Sequence, residues 1–265
     1  MKAIIIASSL LLSTVSQAAL AKSEHSCDIH LDKDLVVNSQ NVAIKAADKE
    51  LWRINTQGQL WLKNQNIATD RATQQNLQQF QADIRQQTIQ TLSLVEDSLV
   101  LASDAINSAV SELTGEPIAK LPALNQAVTK IKAYSERLVL QQEDGITVYG
   151  SRFDTLDDVF DQAFEQAIEQ AVTQSIGSMM LVVGKALTTG EGSFEQRMDA
   201  FSQKMDNFGT QLEQRIESQV GMLEQRGEAL CDSLIKLDAL ETAIQQAIPQ
   251  LRQYDLIDAK RNDKA

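Results

Sequence analysis

The rhythm of hydrophobic and polar positions changes twice along this chain. The first stretch, Ala3 to Val15, is apolar and small, preceded by Met1-Lys2 and followed by Ala19-Leu20-Ala21. A positive start, a short apolar run and an A-x-A site form the pattern of a cleavable export signal, because only small side chains fit the peptidase subsites. The run is too short for a permanent membrane span, which needs about 20 apolar residues. Residues 1–21 are therefore expected as a signal peptide, and no transmembrane anchor is expected. His25-Ser26 precedes Cys27 where a lipid-attachment motif would place small apolar residues, which argues against a lipid anchor.

From residue 28 to 64 the period is two. Asp28-Ile29-His30-Leu31, Leu35-Val36-Val37 and Val42-Ala43-Ile44 read as short strands. Leu51-Trp52-Arg53-Ile54-Asn55 and Gln59-Leu60-Trp61-Leu62-Lys63 alternate on either side of Thr56-Gln57-Gly58, the signature of a hairpin. The two tryptophans lie at similar distances from that turn, which suggests cross-strand neighbours. Residues 22–69 are thus expected as a small antiparallel β-meander that needs something to pack on.

Beyond residue 70 the spacing switches to alternating threes and fours. Leu77, Phe80, Ile84, Leu92, Val95, Leu99, Ala102, Ile106, Ala109 and Leu113 mark one face of a first helix, ended by Thr114-Gly115-Glu116-Pro117. Leu121 to Leu138 predicts a second helix. Ile146 to Tyr149 reads as an isolated extended piece, and Asp154 to Leu187 as a third helix. The fourth is the longest, running from Phe194 to Pro249. Ser193 and Gln196 form a capping-box pattern at its start, and Gly209, Gly221 and Gly227 are points where it can bend. The expected fold class is mostly α, of α+β type: an elongated, coiled-coil-like helical bundle over residues 70–253 with the N-terminal meander docked on it. Residues 254–265 are charged and are expected as a flexible tail.

Composition narrows the functions. The formal net charge is −12, which repels nucleic acid and anionic surfaces. The chain has 2 cysteines, Cys27 and Cys231, both in the exported part, and an even count in an oxidising compartment predicts one disulfide. The alternative is two buried thiols. A bridge would close a loop of roughly 200 residues and contribute about 5 kcal/mol. It would also clamp the meander against the fourth helix and make the chain one unit.

The Cys27 neighbourhood, with His25 and His30, offers three soft-metal donors, but a bridged cysteine cannot supply the thiolate such a site needs. No metal and no cofactor are expected. Asp154, Asp157, Asp158 and Asp161 lie at a helix start, where the helix dipole favours negative charge, and they lack the spacing of a calcium loop. No nucleophile elbow and no phosphate-cradling glycine loop occur, so an enzyme is not expected.

The order of features resembles the YggN family, periplasmic proteins of Gram-negative bacteria with a domain of unknown function. The resemblance is carried by the early cysteine and the Trp52-to-Leu62 hairpin with Gly58-x-Leu60. It also rests on Leu230-Cys231-Asp232-Ser233-Leu234-Ile235-Lys236-Leu237-Asp238-Ala239-Leu240-Glu241 and Ile248-Pro249. It implies a periplasmic location and brings no catalytic residue.

The run from Ile176 to Leu187 is apolar on nearly all faces. It reads either as a helix end buried in the bundle or as a Met-rich surface for an apolar ligand or partner, contacted by Ile176, Met179, Met180 and Val183. Two functions follow. One is a non-enzymatic cell-envelope scaffold or chaperone-like binder acting through helix faces such as those of Phe201 and Phe208. The other is a carrier for an apolar small molecule or lipid. The expected partner is an envelope protein or an apolar ligand, not nucleic acid; the stripes can be satisfied within one chain or in a homo-oligomer.

Overall fold

A computed structural model describes residues 25–47, 49–114, 136–152 and 192–263, with isolated positions between 125 and 133 and between 173 and 188. Most of the second and third expected helices therefore lies outside the described residues, as does the Asp154–Asp161 cluster.

From Asp34 on, the period-two segment folds as the expected meander, whereas the strand read at Asp28–Leu31 lies outside that sheet. β2 (Asp34–Asn38) and β3 (Asn41–Ala46) form a hairpin whose turn is shaped by the Asn38 side chain, which accepts the Gln40 and Asn41 amides at 3.0 and 2.8 Å. β4 (Lys49–Asn55) pairs with β5 (Leu60–Leu62), and β6 (Gln65–Ile67) closes this side. Two further strands, β7 (Val139–Gln142) and β8 (Gly145–Tyr149), arrive from a hundred residues downstream. β8 pairs with β2, which gives one antiparallel seven-stranded sheet in the order β6-β5-β4-β3-β2-β8-β7.

The register of β4 and β5 corrects the tryptophan expectation. Trp52 faces Leu62 and Trp61 faces Arg53, so the two indoles point to opposite faces. Trp52 is 2 % exposed in the core, and its indole N–H donates to the Tyr254 carbonyl at 3.3 Å. Trp61 stays on the outer face under the Arg53 guanidinium, 4.8 Å from its ring centre.

The turn between these strands depends on Gly58, which has φ +73°. An added Cβ would lie 2.3 Å from the Gln74 carbonyl oxygen on the helix that follows. That neighbour is backbone and cannot move aside cheaply. Gly58→Ala should therefore cost at least about 2 kcal/mol, from the left-handed conformation and the clash together. Urea unfolding of the variant checks this; a midpoint equal to the parent's would refute it.

The two long helices among the described residues are α1 (Arg71–Thr114) and α2 (Phe194–Ala247). Asp70 caps α1 by accepting the Thr73 amide at 2.7 Å, and this bond holds its carboxyl below the usual range. The expected capping box opens α2: Ser193 accepts the Gln196 amide and Gln196 accepts the Ser193 amide. α2 runs unbroken through Gly209, Gly221 and Gly227 and stops before the 3-10 turn Pro249–Tyr254. The helices are antiparallel, as the ion pairs Glu112–Lys204 and Asp97–Arg226 show, both at 2.6 Å.

The expected bundle is not what forms. The buried core lies between the inner face of the sheet (Leu35, Val42, Ile44, Trp52, Ile54, Leu60) and only the sheet-proximal ends of the helices: Leu77, Phe80 and Ile84 of α1, with Leu234, Leu237 and Ile244 of α2. No described residue of α1 after Thr88, and none of α2 before Leu230, is buried. The fold is a sheet with helices packed on it, not a mostly helical, coiled-coil-like bundle with a minor β-segment. Local periodicity hid this because it marks an apolar face without saying what covers it.

The flexible-tail expectation also fails. Leu256, Ile257 and Ala259 are buried, and β9 (Asp258–Asp263) pairs antiparallel with β1 (His25–His30) in a separate two-stranded sheet. The Cys27–Cys231 disulfide is formed, with Cα atoms 5.9 Å apart, and ties β1 to α2. Beside it Arg261 of β9 pairs with Asp232 of α2 at 2.5 Å.

Candidate functional site

The apolar stripe of α1 divides between two tasks. Its first part, Leu77, Phe80 and Ile84, fills the core against the sheet. Its continuation through Leu92, Val95, Leu99, Ala102 and Ile106 instead forms one wall of a groove with a volume of about 1220 Å³. The opposite wall comes from Ile29, Leu31 and Leu35 on the N-terminal side and from Val139, Leu140 and Val148 of the β7–β8 hairpin. Leu230, Leu234 and Leu237 of α2, with Leu256 and Ile257, make the floor. From Ile84 to Ile106 the helical wall runs about 33 Å at 1.5 Å per residue.

The upper groove wall is apolar yet open to solvent. Val95 is 41 % exposed and Val100 59 %, and Ile29 and Leu140 are exposed as well. Such contiguous apolar exposure marks a binding surface, whereas single exposed side chains do not. Small-molecule sites occupy about 300–1,000 Å³, and this groove exceeds that range.

Few polar groups line it. Thr88 turns its hydroxyl to the Ile84 carbonyl at 2.8 Å and so presents its methyl. Gln87 is 8 % exposed, and its Oε1 is buried without a hydrogen-bond partner among the described residues. Asp32, Glu96, Asp104 and Glu136 contribute exposed carboxylates at the rim; Glu96 also accepts the Gln141 amide at 3.2 Å.

The floor depends on a buried carboxyl group. Glu241 lies on the core-facing stripe of α2 and is 4 % exposed. Its two oxygens accept the backbone amides of Leu256 and Ile257 at 2.8 and 3.2 Å, pinning the segment that closes the groove from below. Burial pushes its pKa up to about 8; the two amides pull the other way, while Asp255 and Asp238 add repulsion. Asp238 extends the clamp by accepting the Ala259 amide at 3.1 Å. The sequence carried a signal for this residue that went unread, since Glu241 occupies a core position in the series Leu230, Leu234, Leu237, Ile244.

Of the contact residues expected in the 176–187 run, only Met180 is described, and it does not line the groove. Ile176, Met179 and Val183 lie outside the described residues, and Met180 is 73 % exposed. The Cys27 sulfur is spent in the disulfide, and the His30 Nε2 lies 3.1 Å from Asp28 Oδ1. Among the described residues no three His, Cys, Asp or Glu side chains are grouped to hold a metal ion, and no helix is long and apolar enough to cross a membrane.

The model of a family described as a protein of unknown function (DUF2884) matches residues 27–257. The chain belongs to that family. No curated protein and no solved structure matches it. The matched DUF2884 region begins at the bridging Cys27 and ends at Ile257, the residue held by Glu241, so it takes in both covalent partners and the groove floor.

Proposed function

We propose that the protein is a non-enzymatic binding protein of the cell envelope that holds an apolar ligand in the groove along α1. The single observation that carries this reading is a groove of about 1220 Å³ whose apolar wall includes the exposed Val95, Val100, Ile29 and Leu140. The export pattern at the N-terminus, the disulfide and the resemblance to the periplasmic YggN family support an oxidising compartment. Recovery of the chain without residues 1–21 in an osmotic-shock fraction tests the periplasmic location.

Binding of a neutral fluorescent naphthylamine tests the groove. Val95→Asp places a charge in the wall without disturbing the core and should weaken binding at least tenfold. Met222→Asp, at a more exposed position of α2 outside the groove, should leave it unchanged. Equal losses in both variants, or none in Val95→Asp, would sink the proposal.

A second reading, a scaffold or chaperone-like binder acting through helix faces, is favoured by the exposed Phe194, Met198 and Met222 on α2. It expects the opposite outcome: Met222→Asp abolishes a partner complex or homo-oligomer that survives Val95→Asp.

A further inference from the structure

The strand β1 stands apart from the core beside it. No residue of β1 belongs to the described core, and among the described residues its one ladder partner is β9. Yet Ile29 and His30 of β1, with Leu31 and Asp32 that follow, line the groove. The floor beneath them is fastened independently: Glu241 holds the Leu256 and Ile257 amides, and Asp238 holds that of Ala259. The groove thus has a fixed floor and one wall whose covalent tie to α2 is the Cys27–Cys231 bridge.

The surroundings of that bridge suit exchange with an external thiol. Its two ends differ, since Cys27 is exposed on β1 and Cys231 is 4 % exposed on α2. Arg261 lies directly across the ladder from Cys27, and its guanidinium reaches Asp232, the neighbour of Cys231, at 2.5 Å. Cross-strand partners share one face with Cβ atoms about 5 Å apart, so this cation lies on the side of the ribbon where the bridge lies. A nearby cation favours the thiolate, which is both the attacking and the leaving form in exchange.

We propose that the bridge is an exchangeable latch: a dithiol reductant opens it at Cys27, β1 detaches, and the groove gives up its apolar ligand while the core stays folded. The proposal rests on the groove reading above and adds its control. A thiolate of the reductant attacks the Cys27 sulfur, and the S–S bond breaks with its electron pair leaving on Cys231, which takes up a proton. The second thiolate then attacks the reductant's own sulfur in the mixed disulfide, and Cys27 leaves as a thiolate and is protonated. Two electrons and two protons pass to the chain, and the reductant becomes a cyclic disulfide.

The full oxidised chain is treated with dithiothreitol at pH 7 without denaturant, and the two-hydrogen mass gain is followed in acid-quenched samples. The naphthylamine titration is run on the oxidised chain and on the chain held reduced, with tryptophan emission recorded in both. Affinity should fall at least tenfold on reduction and return on reoxidation. The emission maximum should stay in place, because Trp52 sits in the core at 2 % exposure. Arg261→Gln should slow opening about three- to tenfold, and Arg261→Lys should restore most of the rate. A purely structural Arg261 predicts the reverse, since losing its pair with Asp232 loosens β9 and speeds opening.

An affinity unchanged by reduction overturns the latch and leaves the groove standing, as long as Val95→Asp still weakens binding. A red-shifted emission on reduction also overturns it, because the bridge then holds the whole fold and not one wall. Faster opening in Arg261→Gln does the same. If the oxidised chain does not bind the naphthylamine, the groove reading fails first and the latch falls with it.

Discussion

Replacing Cys27 and Cys231 together by alanine should lower the unfolding free energy by about 5 kcal/mol. The bridge spans a sequence separation of 204, and a loop of that length gives the unfolded chain much freedom when it is cut. Little else holds β1 in place. Among the described residues its one strand neighbour is β9, a two-stranded ribbon is marginal on its own, and Cys27 and Ile29 are exposed. The loss should therefore appear in two measurements. Urea unfolding should show a large drop in midpoint, matched by the reduced parent protein. Hydrogen exchange should show the β1 and β9 amides losing protection before those of β2 to β5. A double variant within about 1 kcal/mol of the parent, with β1 still protected, would mean that the Arg261–Asp232 pair and the strand ladder suffice.

The second large effect is a pH dependence centred on Glu241. Its carboxyl is pushed from an ordinary 4.5 up to about 8, burial being the first cause, so the folded chain holds that proton more tightly than the unfolded one. The stabilisation is complete below the unfolded value. It declines as pH rises from 4.5 and is gone above about 8. Over that window stability should fall by roughly 1.4 kcal/mol per pH unit, or on the order of 5 kcal/mol in all. Few other groups change charge there, since the chain has 2 histidines. Glu241→Gln removes the titration. Its amide can accept only one of the two backbone N–H groups, so the variant should be less stable than the parent at pH 5 and equal or more stable at pH 8. Urea midpoints at pH 5, 6.5 and 8 decide it, and parallel slopes for parent and variant would assign the pH dependence elsewhere.

Much of the local structure was legible in the chain. The alternation from Leu51 to Lys63 around Gly58, the Ser193–Gln196 box and the cysteine pair each depend on short-range chemistry or on compartment, and each reads directly. What failed depended on distant pairing. Ile146 to Tyr149 looked like an isolated extended piece because one partner, β2, lies a hundred residues upstream, and the other, β7, shows no alternation of its own in Val139-Leu140-Gln141-Gln142. The charged run Asp258-Ala259-Lys260-Arg261 concealed a strand, since only Leu256, Ile257 and Ala259 turn inward and three residues make no period. The tryptophans were misplaced by one position of register, which in a strand exchanges the two faces. The groove was hidden in plain view. Leu92 to Ile106 reads as a seam, and a helical stripe looks the same whether another helix or open space lies against it.

The pairing of β1 with β9 has a mechanical consequence. His25 lies opposite Asp263, so a pull applied at these two positions peels the ribbon from one end, breaking its hydrogen bonds in succession. The force then reaches the Cys27–Cys231 bond, which is covalent. Everything between those two cysteines, including the seven-stranded sheet and α1, forms a closed ring that carries no tension, whereas the groove floor at Leu234, Leu237, Leu256 and Ile257 lies outside it. Only residues 232–263 can pay out, at most about 110 Å of chain, before the load comes onto sulfur.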